Sequence, residues 1–149
     1  MSELRDLYEE VILDHNRNPR NYPKRPEGCN HSAAGNNPLC GDDVEIHLAI
    51  HEGVITDIGF EGDGCAISTA SASMLTEALK GKSEAQAREL FAEVHTMLTA
   101  TGNDEPDATL GKLAVLGGVK DYPMRVKCAS LAWHTMIAAL NNAGSTTTE

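Results

Sequence analysis

The sequence predicts an α+β fold in which a small antiparallel β-sheet is packed by α-helices. Apolar and polar residues alternate over 44–50 and again over 54–60, with Glu52-Gly53 between them. This period of two, interrupted by a tight turn, is typical of an antiparallel hairpin with one wet face. On both sides of the hairpin, apolar residues recur at the spacing of amphipathic helices.

The first element is a helix that begins after Ser2, a good N-cap residue, and stops before Asn18-Pro19. Residues 17–39 hold four prolines and several asparagines and glycines, so we expect them to be irregular. A long irregular segment that leads to Cys40 is either a movable flap or an ordinary surface loop.

The hairpin has strands of nearly equal length, so it brings Asp42 and Cys65 to the same end. A helix runs from Cys65 to Lys80-Gly81, where glycine occupies the usual terminal position. The next helix opens with a capping box formed by Ser83 and Gln86. Cys65 is therefore expected at a helix start.

The C-terminal third is predicted to hold a loop at 102–106, a short helix over 110–116 and a last helix entered at Tyr122-Pro123. Trp133 and Met136 are expected on the buried face of that last helix, and Cys128 in its first turn. The tail, 145–149, should be frayed. We expect residues 1–149 to form a single domain.

Composition excludes several classes of partner. The chain has 12 basic and 22 acidic residues and a formal charge of -10, which disfavours nucleic acid and anionic bilayers. Four widely spaced cysteines are untypical of a disulfide framework and favour a reduced setting. With neither a secretory leader pattern nor a long apolar run, a cytoplasmic protein is expected.

Three cysteines and one aspartate form the candidate metal site: Cys40, Asp42, Cys65 and Cys128. Metals bind thiolates, and a helix N-terminus favours them. Three thiolates and a carboxylate satisfy tetrahedral Zn²⁺ but leave a net charge of -2. Arg125 and Lys127 could balance this charge and steer an anionic sulfur species, or they are simply surface charges at the helix entry.

Other interpretations of these residues remain open. The cysteines could be buried apolar thiols or the ligands of a structural zinc adaptor, although Cys-x-x-Cys pairs are absent. A hydrolytic zinc enzyme is disfavoured because there is no His-Glu-x-x-His run. Cys29 lies outside the ligand spacing and is expected to be a bystander. The six histidines form no paired metal motif and should be mostly solvated.

Three motifs surround the candidate ligands: Asn37-Pro38-Leu39-Cys40-Gly41-Asp42, Gly62-Asp63-Gly64-Cys65-Ala66-Ile67 and Arg125-Val126-Lys127-Cys128-Ala129. With these motifs and its opening helix, the chain resembles the IscU/NifU N-terminal family, and more narrowly its SufU branch. Two features favour the SufU branch. Lys127 stands where IscU proteins have histidine, and Cys65 and Cys128 are 63 positions apart, about twenty more than in IscU, which places an insertion around 102–118.

The resemblance implies an IscU/SufU-like fold and a role in iron-sulfur cluster assembly. It implies that Zn²⁺ is held by Cys40, Asp42, Cys65 and Cys128, and that Cys40 accepts persulfide sulfur from a SufS-type cysteine desulfurase. Arg125 matches a position linked to that transfer. The protein would be a sulfurtransferase-like acceptor that relays sulfur to downstream assembly or recipient proteins. The alternative is a scaffold that builds a [2Fe-2S] cluster, or binds iron, on the same cysteines.

Overall fold

The computed structural model describes residues 2–37, 41–99, 123–141 and 145–147. The predicted loop at 102–106 and helix over 110–116 lie outside these residues, as do the proposed insertion and Cys40. The elements, in chain order, are α1 (Ser2–Arg17), β1 (His31–Asn37), β2 (Asp42–His51), β3 (Val54–Glu61), α2 (Ala66–Leu79), α3 (Glu84–Thr99), α4 (Pro123–Leu140) and β4 (Ser145–Thr147).

The strands form one sheet in the order β3-β2-β1-β4. The pairs β1–β2 and β2–β3 are antiparallel, whereas the short β4 runs parallel to β1. The predicted hairpin and the α+β class are therefore confirmed. Across the described residues, no helix has both the length and the apolarity needed to cross a bilayer.

The core lies between the helices and the inner face of the sheet. Val44, Ile46 and Leu48 alternate along β2 and are all buried. Trp133 and Met136 of α4 are also buried, as predicted. A hydrogen bond of 3.2 Å from the Trp133 indole Nε1 to Ser71 Oγ joins α4 to α2.

Residues 31–37 correct the prediction of an irregular segment over 17–39, because they form β1. This strand pairs with β2 from His31↔Leu48 to Asn37↔Asp42. The sequence of β1 does not indicate a strand, because it has small and polar residues where β-branched or aromatic residues are typical. Its inward residue Gly35 lies so close to Thr135 and Leu131 of α4 that a Cβ atom there would overlap the Thr135 side chain.

A crossing segment, residues 21–30, covers part of the outer face of the sheet. It begins along the free edge of β3, where Phe60 N donates to Asn21 O at 3.1 Å and Lys24 N to Phe60 O at 3.2 Å. Gly59 lies so close beneath the Lys24 carbonyl that a Cβ atom there would overlap it. Pro26 is buried, and Asn30 N reaches Leu48 O at 3.0 Å.

The predicted frayed tail is also partly wrong. Residues 145–147 form β4, which pairs with Ala34, Gly35 and Asn36 of β1. The last two residues of that prediction, 148 and 149, lie outside the described residues. The short strand was missed because Ser-Thr-Thr lacks the apolar alternation that marks a strand.

Candidate metal centre

Asp42 and Cys65 meet at one end of the sheet, as the hairpin predicted. Asp42 opens β2 and is 2% exposed. Its Oδ1 accepts a hydrogen bond of 2.8 Å from the backbone N–H of Cys65, and its Oδ2 lies 3.6 Å from Cys65 Sγ. One carboxylate oxygen is thus held by the backbone, while the other faces a thiol.

Cys65 is the N-cap residue of α2 and is exposed. Its Sγ accepts a hydrogen bond from Ser68 N at 3.4 Å, so the sulfur satisfies one of the N–H groups that lack partners within the helix. Gly64 permits this close approach, since a Cβ atom there would lie 2.9 Å from Ser68 Oγ. The predicted helix start at Cys65 is therefore confirmed.

Cys128 is buried in α4, and its predicted position in the first helical turn is wrong. Because the helix begins at Pro123, Cys128 is its sixth residue and lies beyond the four N-terminal N–H groups that lack helical partners. Proline is well suited to the first helical position, so it opens the helix and does not precede it. Cys65 therefore lies at a helix N-terminus, whereas Cys128 does not.

Two buried polar side chains help to position Cys128. Asn37 is fully buried at the end of β1, with its Nδ2 4.0 Å from Cys128 Sγ. Ser71 Oγ donates to the carbonyl of Ala129, which ties the turn of α4 beside Cys128 to α2. Sequence reasoning did not identify either as a positioning residue, although Asn37 begins the motif that contains Cys40.

The structure brings three of the four predicted ligands together, and we call Asp42, Cys65 and Cys128 the thiol site. One ligand atom of each lies within 4.8 Å of the others. Tetrahedral Zn²⁺ with bonds of about 2.0–2.3 Å separates its ligand atoms by about 3.5–3.8 Å, and the Asp42 Oδ2 to Cys65 Sγ distance of 3.6 Å lies in this range. Two thiols and a carboxylate therefore fit such an ion.

The fourth predicted ligand, Cys40, lies outside the described residues. The residues on either side are described: Gly41 N donates to Asn37 O at 2.9 Å, and Gly41 has a positive φ of 71°. Positive φ favours glycine, which accounts for Gly41 in this turn. Both flanking residues are close to the thiol site, since Asn37 Nδ2 lies 4.0 Å from Cys128 Sγ and Gly41 directly precedes Asp42.

The other predicted residues lie on α4 or at the far end of β1. Arg125 is exposed one helical turn before Cys128, and Lys127 is half-buried. Cys29 precedes the opposite end of β1, where its Sγ lies 3.2 Å from Ser32 Oγ. Of the histidines expected to be mostly solvated, His15 and His47 are buried.

The fold and the thiol site together define an α+β protein with a candidate metal centre of sulfur and oxygen ligands at one end of its sheet. The sequence profile of the NifU-like N terminal domain matches residues 7–129. The chain therefore belongs to the NifU-like N-terminal domain family, whose IscU and SufU members are iron-sulfur cluster assembly proteins. The resemblance seen in the sequence motifs is confirmed.

Similar proteins cover nearly the whole chain. The iron-sulfur cluster assembly scaffold protein IscU of Streptococcus pyogenes serotype M1 is 35% identical over 97% of this chain and 89% of its own. The zinc-dependent sulfurtransferase SufU of Bacillus subtilis is 38% identical over 91% of this chain and 90% of its own. Among solved structures, a protein from Fervidobacterium islandicum assigned as an iron-sulfur cluster assembly scaffold of the SUF system has a TM-score of 0.79, with 34% identity over 90% of this chain and 96% of its own.

Proposed function

We propose that this protein accepts persulfide sulfur at Cys40 from a SufS-type cysteine desulfurase and relays it to iron-sulfur cluster assembly. The observation that carries the proposal is the convergence of Asp42, Cys65 and Cys128 within 4.8 Å, with Cys40 two positions before Asp42 in the sequence. The similarity to a zinc-dependent sulfurtransferase supports the same chemistry.

Zn²⁺ would be held by Asp42, Cys65 and Cys128 together with Cys40. When bound, the ion supplies positive charge that keeps the thiols ionised. The three described residues are fixed in different ways: Cys65 as a helix cap, Cys128 within α4 and Asp42 by the backbone of Cys65. Cys40, in the connection between two strands, is the ligand we expect to leave the site.

The sulfur transfer is a thiol exchange reaction. The Cys40 thiolate attacks the outer sulfur of the persulfide on the desulfurase, so a new S–S bond forms on Cys40. The S–S bond of the partner breaks, and the partner cysteine leaves as a thiolate. Arg125 and Lys127 of α4 are the cations we expect to attract the anionic persulfide to this end of the sheet.

The test compares Cys40→Ser with Cys29→Ser in the presence of the desulfurase and cysteine. Mass spectrometry should find a 32 Da sulfur adduct on the wild type and on Cys29→Ser, but none on Cys40→Ser. Zinc analysis should find substantial metal in all three proteins, since three ligands remain in Cys40→Ser. A persulfide on another cysteine of Cys40→Ser would contradict the proposal.

A second candidate function is a scaffold that assembles a [2Fe-2S] cluster on Cys40, Cys65 and Cys128. It is favoured by the similarity to the Streptococcus scaffold protein. Anaerobic addition of iron and sulfide distinguishes the two functions by visible absorption, because a thiolate-bound cluster absorbs strongly and zinc does not. Because the cluster would use the same cysteines as zinc, a stable cluster that displaces zinc and blocks sulfur uptake at Cys40 would support the scaffold function.

A structural zinc adaptor makes a different prediction. Chelation should then unfold the chain, and sulfur uptake should be absent. Among the described residues, the buried apolar core comes from the sheet and the helices, and Cys128 is the one candidate metal ligand that belongs to it. We therefore expect the chelated protein to stay folded. Thermal melting with and without chelator measures this.

A further inference from the structure

We propose that the outer face of the sheet carries a second cation site, in which His47, Glu45 and Glu61 bind one divalent first-row transition metal ion. We call these three residues the outer-face cluster. They lie on the opposite side of β2 from the thiol site and share no ligand with it. The inference does not depend on sulfur transfer at Cys40.

The register of the sheet brings these three side chains together. Glu45 of β2 pairs with Glu61 of β3, and His47 pairs with Gly59 in the next row of the same face. His47 Nε2 lies 3.6 Å from Glu45 Oε2 and 4.0 Å from Glu61 Oε2. Bonds of about 2.0–2.2 Å separate the ligand atoms of a tetrahedral ion by about 3.3–3.6 Å, so the His47 to Glu45 distance already fits and the other ligand atoms, all within 4.8 Å, need only small side-chain shifts.

The imidazole of His47 is the observation that points to a ligand. The side chain is 3% exposed, and its Nε2 is buried without a hydrogen-bond partner among the described residues. The distances from Nε2 to the two carboxylates are too long for hydrogen bonds. Leaving a buried nitrogen unpaired destabilises the fold, and a cation between it and the carboxylates would remove that cost.

The other ring nitrogen has the partner that a metal-binding histidine requires. His47 Nδ1 lies 2.9 Å from Ser32 Oγ, which is its cross-strand neighbour on β1. If Nδ1–H donates to Ser32, Nε2 keeps its lone pair and directs it toward Glu45 and Glu61. Ser32 Oγ also lies 3.2 Å from Cys29 Sγ, so the hydroxyl is held from two sides.

Protonated His47 paired with the glutamates would be the competing arrangement. Burial lowers the pKa of His47, and the nearby Arg25 lowers it further, whereas Glu61 and Glu45 act in the opposite direction. The imidazole is therefore neutral near pH 7, which is the form that binds metal ions. Arg25 lies on the crossing segment, and its positive charge would repel a cation bound to His47.

The two glutamates also favour a cation electrostatically. Like charges directly opposite each other on neighbouring strands destabilise a sheet. The carboxylates are 53% and 42% exposed, so an ion can reach them from solvent and their side chains can adjust to it. One imidazole and two carboxylates suit Zn²⁺, Fe²⁺, Co²⁺ or Mn²⁺ better than Ca²⁺ or Mg²⁺, which take oxygen ligands.

Cobalt tests the proposal because its absorption reports the ligands. Protein loaded with one equivalent of Zn²⁺ is titrated with Co²⁺ by calorimetry and visible spectroscopy. We expect one equivalent of Co²⁺ to bind and give d–d bands without the near-ultraviolet band of sulfur bound to cobalt. A sulfur-to-cobalt band would place the ion on thiols and overturn the assignment.

Variants with matched controls locate the ion. His47→Gln and the double variant Glu45→Gln/Glu61→Gln should weaken Co²⁺ binding at least about tenfold. His51→Gln and Glu52→Gln, which change exposed residues at the end of the same hairpin, should leave it unchanged. The double variant keeps the test decisive if His47→Gln fails to fold, because both glutamates are on the surface side of the cluster.

Two further variants separate this proposal from the preceding one. Cys40→Ser should retain the Co²⁺ equivalent even though sulfur uptake is lost. Arg25→Gln should bind Co²⁺ more tightly, because it removes a nearby positive charge. Equal affinity in His47→Gln, the double glutamine variant and His51→Gln would refute the second site, whatever the fate of sulfur transfer.

Discussion

Asp42 and His47 lie five residues apart on β2, but they face opposite sides of the sheet and belong to different kinds of site. Asp42 meets Cys65, the N-cap of α2, and Cys128, in the second turn of α4, and both are distant from it in the sequence. His47 meets Glu45 on the same strand and Glu61 on the neighbouring one. The thiol site therefore depends on how helices dock at the end of the sheet, whereas strand register brings the residues of the outer-face cluster together.

The largest effect is expected from removing the charge of Asp42. Asp42→Asn keeps an oxygen that can accept from Cys65 N, so the fold should survive. Zn²⁺ affinity, measured by competition with a chelator, should fall at least about 100-fold, because loss of a ligand should cost no less than loss of an outer-shell partner, for which about 10–100-fold is typical. Co²⁺ binding at the outer-face cluster should be unaffected.

The neighbouring aspartate provides the control for this change. Asp43→Asn alters the net charge equally, but Asp43 is exposed on the outer face. Its zinc affinity should stay within about twofold of the wild type. Equal losses in the two variants would show that overall charge, and not Asp42 as a ligand, governs zinc binding.

Substitution of two glycines, Gly59 in β3 and Gly62 just after it, should affect the two metal sites differently. Gly62 has a φ of 115°, and a Cβ atom there would overlap the backbone of Asp43. Gly62→Ala should cost about 1–3 kcal/mol of unfolding free energy, measured by urea denaturation with the single tryptophan as reporter, and should weaken zinc binding. Gly59→Ala should displace the crossing segment at Lys24 and weaken Co²⁺ binding instead.

The same pair of variants tests whether the thiol site and the outer-face cluster are independent. If Gly62→Ala and Gly59→Ala each weaken both metals to the same extent, the two sites are not independent. Each variant should still give a cooperative unfolding transition, which guards against reading global misfolding as loss of a site.

The smallest effect concerns the pair that holds the crossing segment over the outer face. Lys24 Nζ lies 2.7 Å from Asp57 Oδ1, with both side chains about one-third exposed. Partial burial acts to raise the pKa of Asp57, but hydrogen bonds from Lys24 and Ile58 N and the charges of Lys24 and Lys80 hold it below its usual value. Asp57→Asn should therefore lower stability at pH 7 by at most about 1 kcal/mol.

The contribution of the Lys24–Asp57 pair to the free energy of unfolding should depend on pH. A carboxyl whose pKa is lowered by folding stabilises the protein above its unfolded pKa, about 3.9, and loses that contribution as the pH falls through the folded pKa. The difference between wild type and Asp57→Asn should thus shrink below about pH 4. A difference that persisted unchanged at lower pH would contradict the ion-pair explanation.

The sequence was informative where local patterns decide structure. The alternation in β2 and β3 predicted the hairpin, and equal strand lengths predicted that Asp42 and Cys65 would meet. It was uninformative for β1, because Gly35 and its small neighbours reflect the close approach of α4 and not a strand propensity. The burial of His47 could not be predicted, since it depends on where residues 21–30 cross the sheet.

The margins of the sheet are protected unequally. Along β3, the backbone of Asn21 and Lys24 hydrogen-bonds with Phe60. Along β1, three residues of β4 satisfy the backbone next to Ala34, Gly35 and Asn36. If those three residues detached, the strand leading toward Cys40 would present open hydrogen-bonding groups, which are a template for an added strand from another chain. The state of the C-terminal strand therefore controls whether this protein can be extended, or can aggregate, through its sheet.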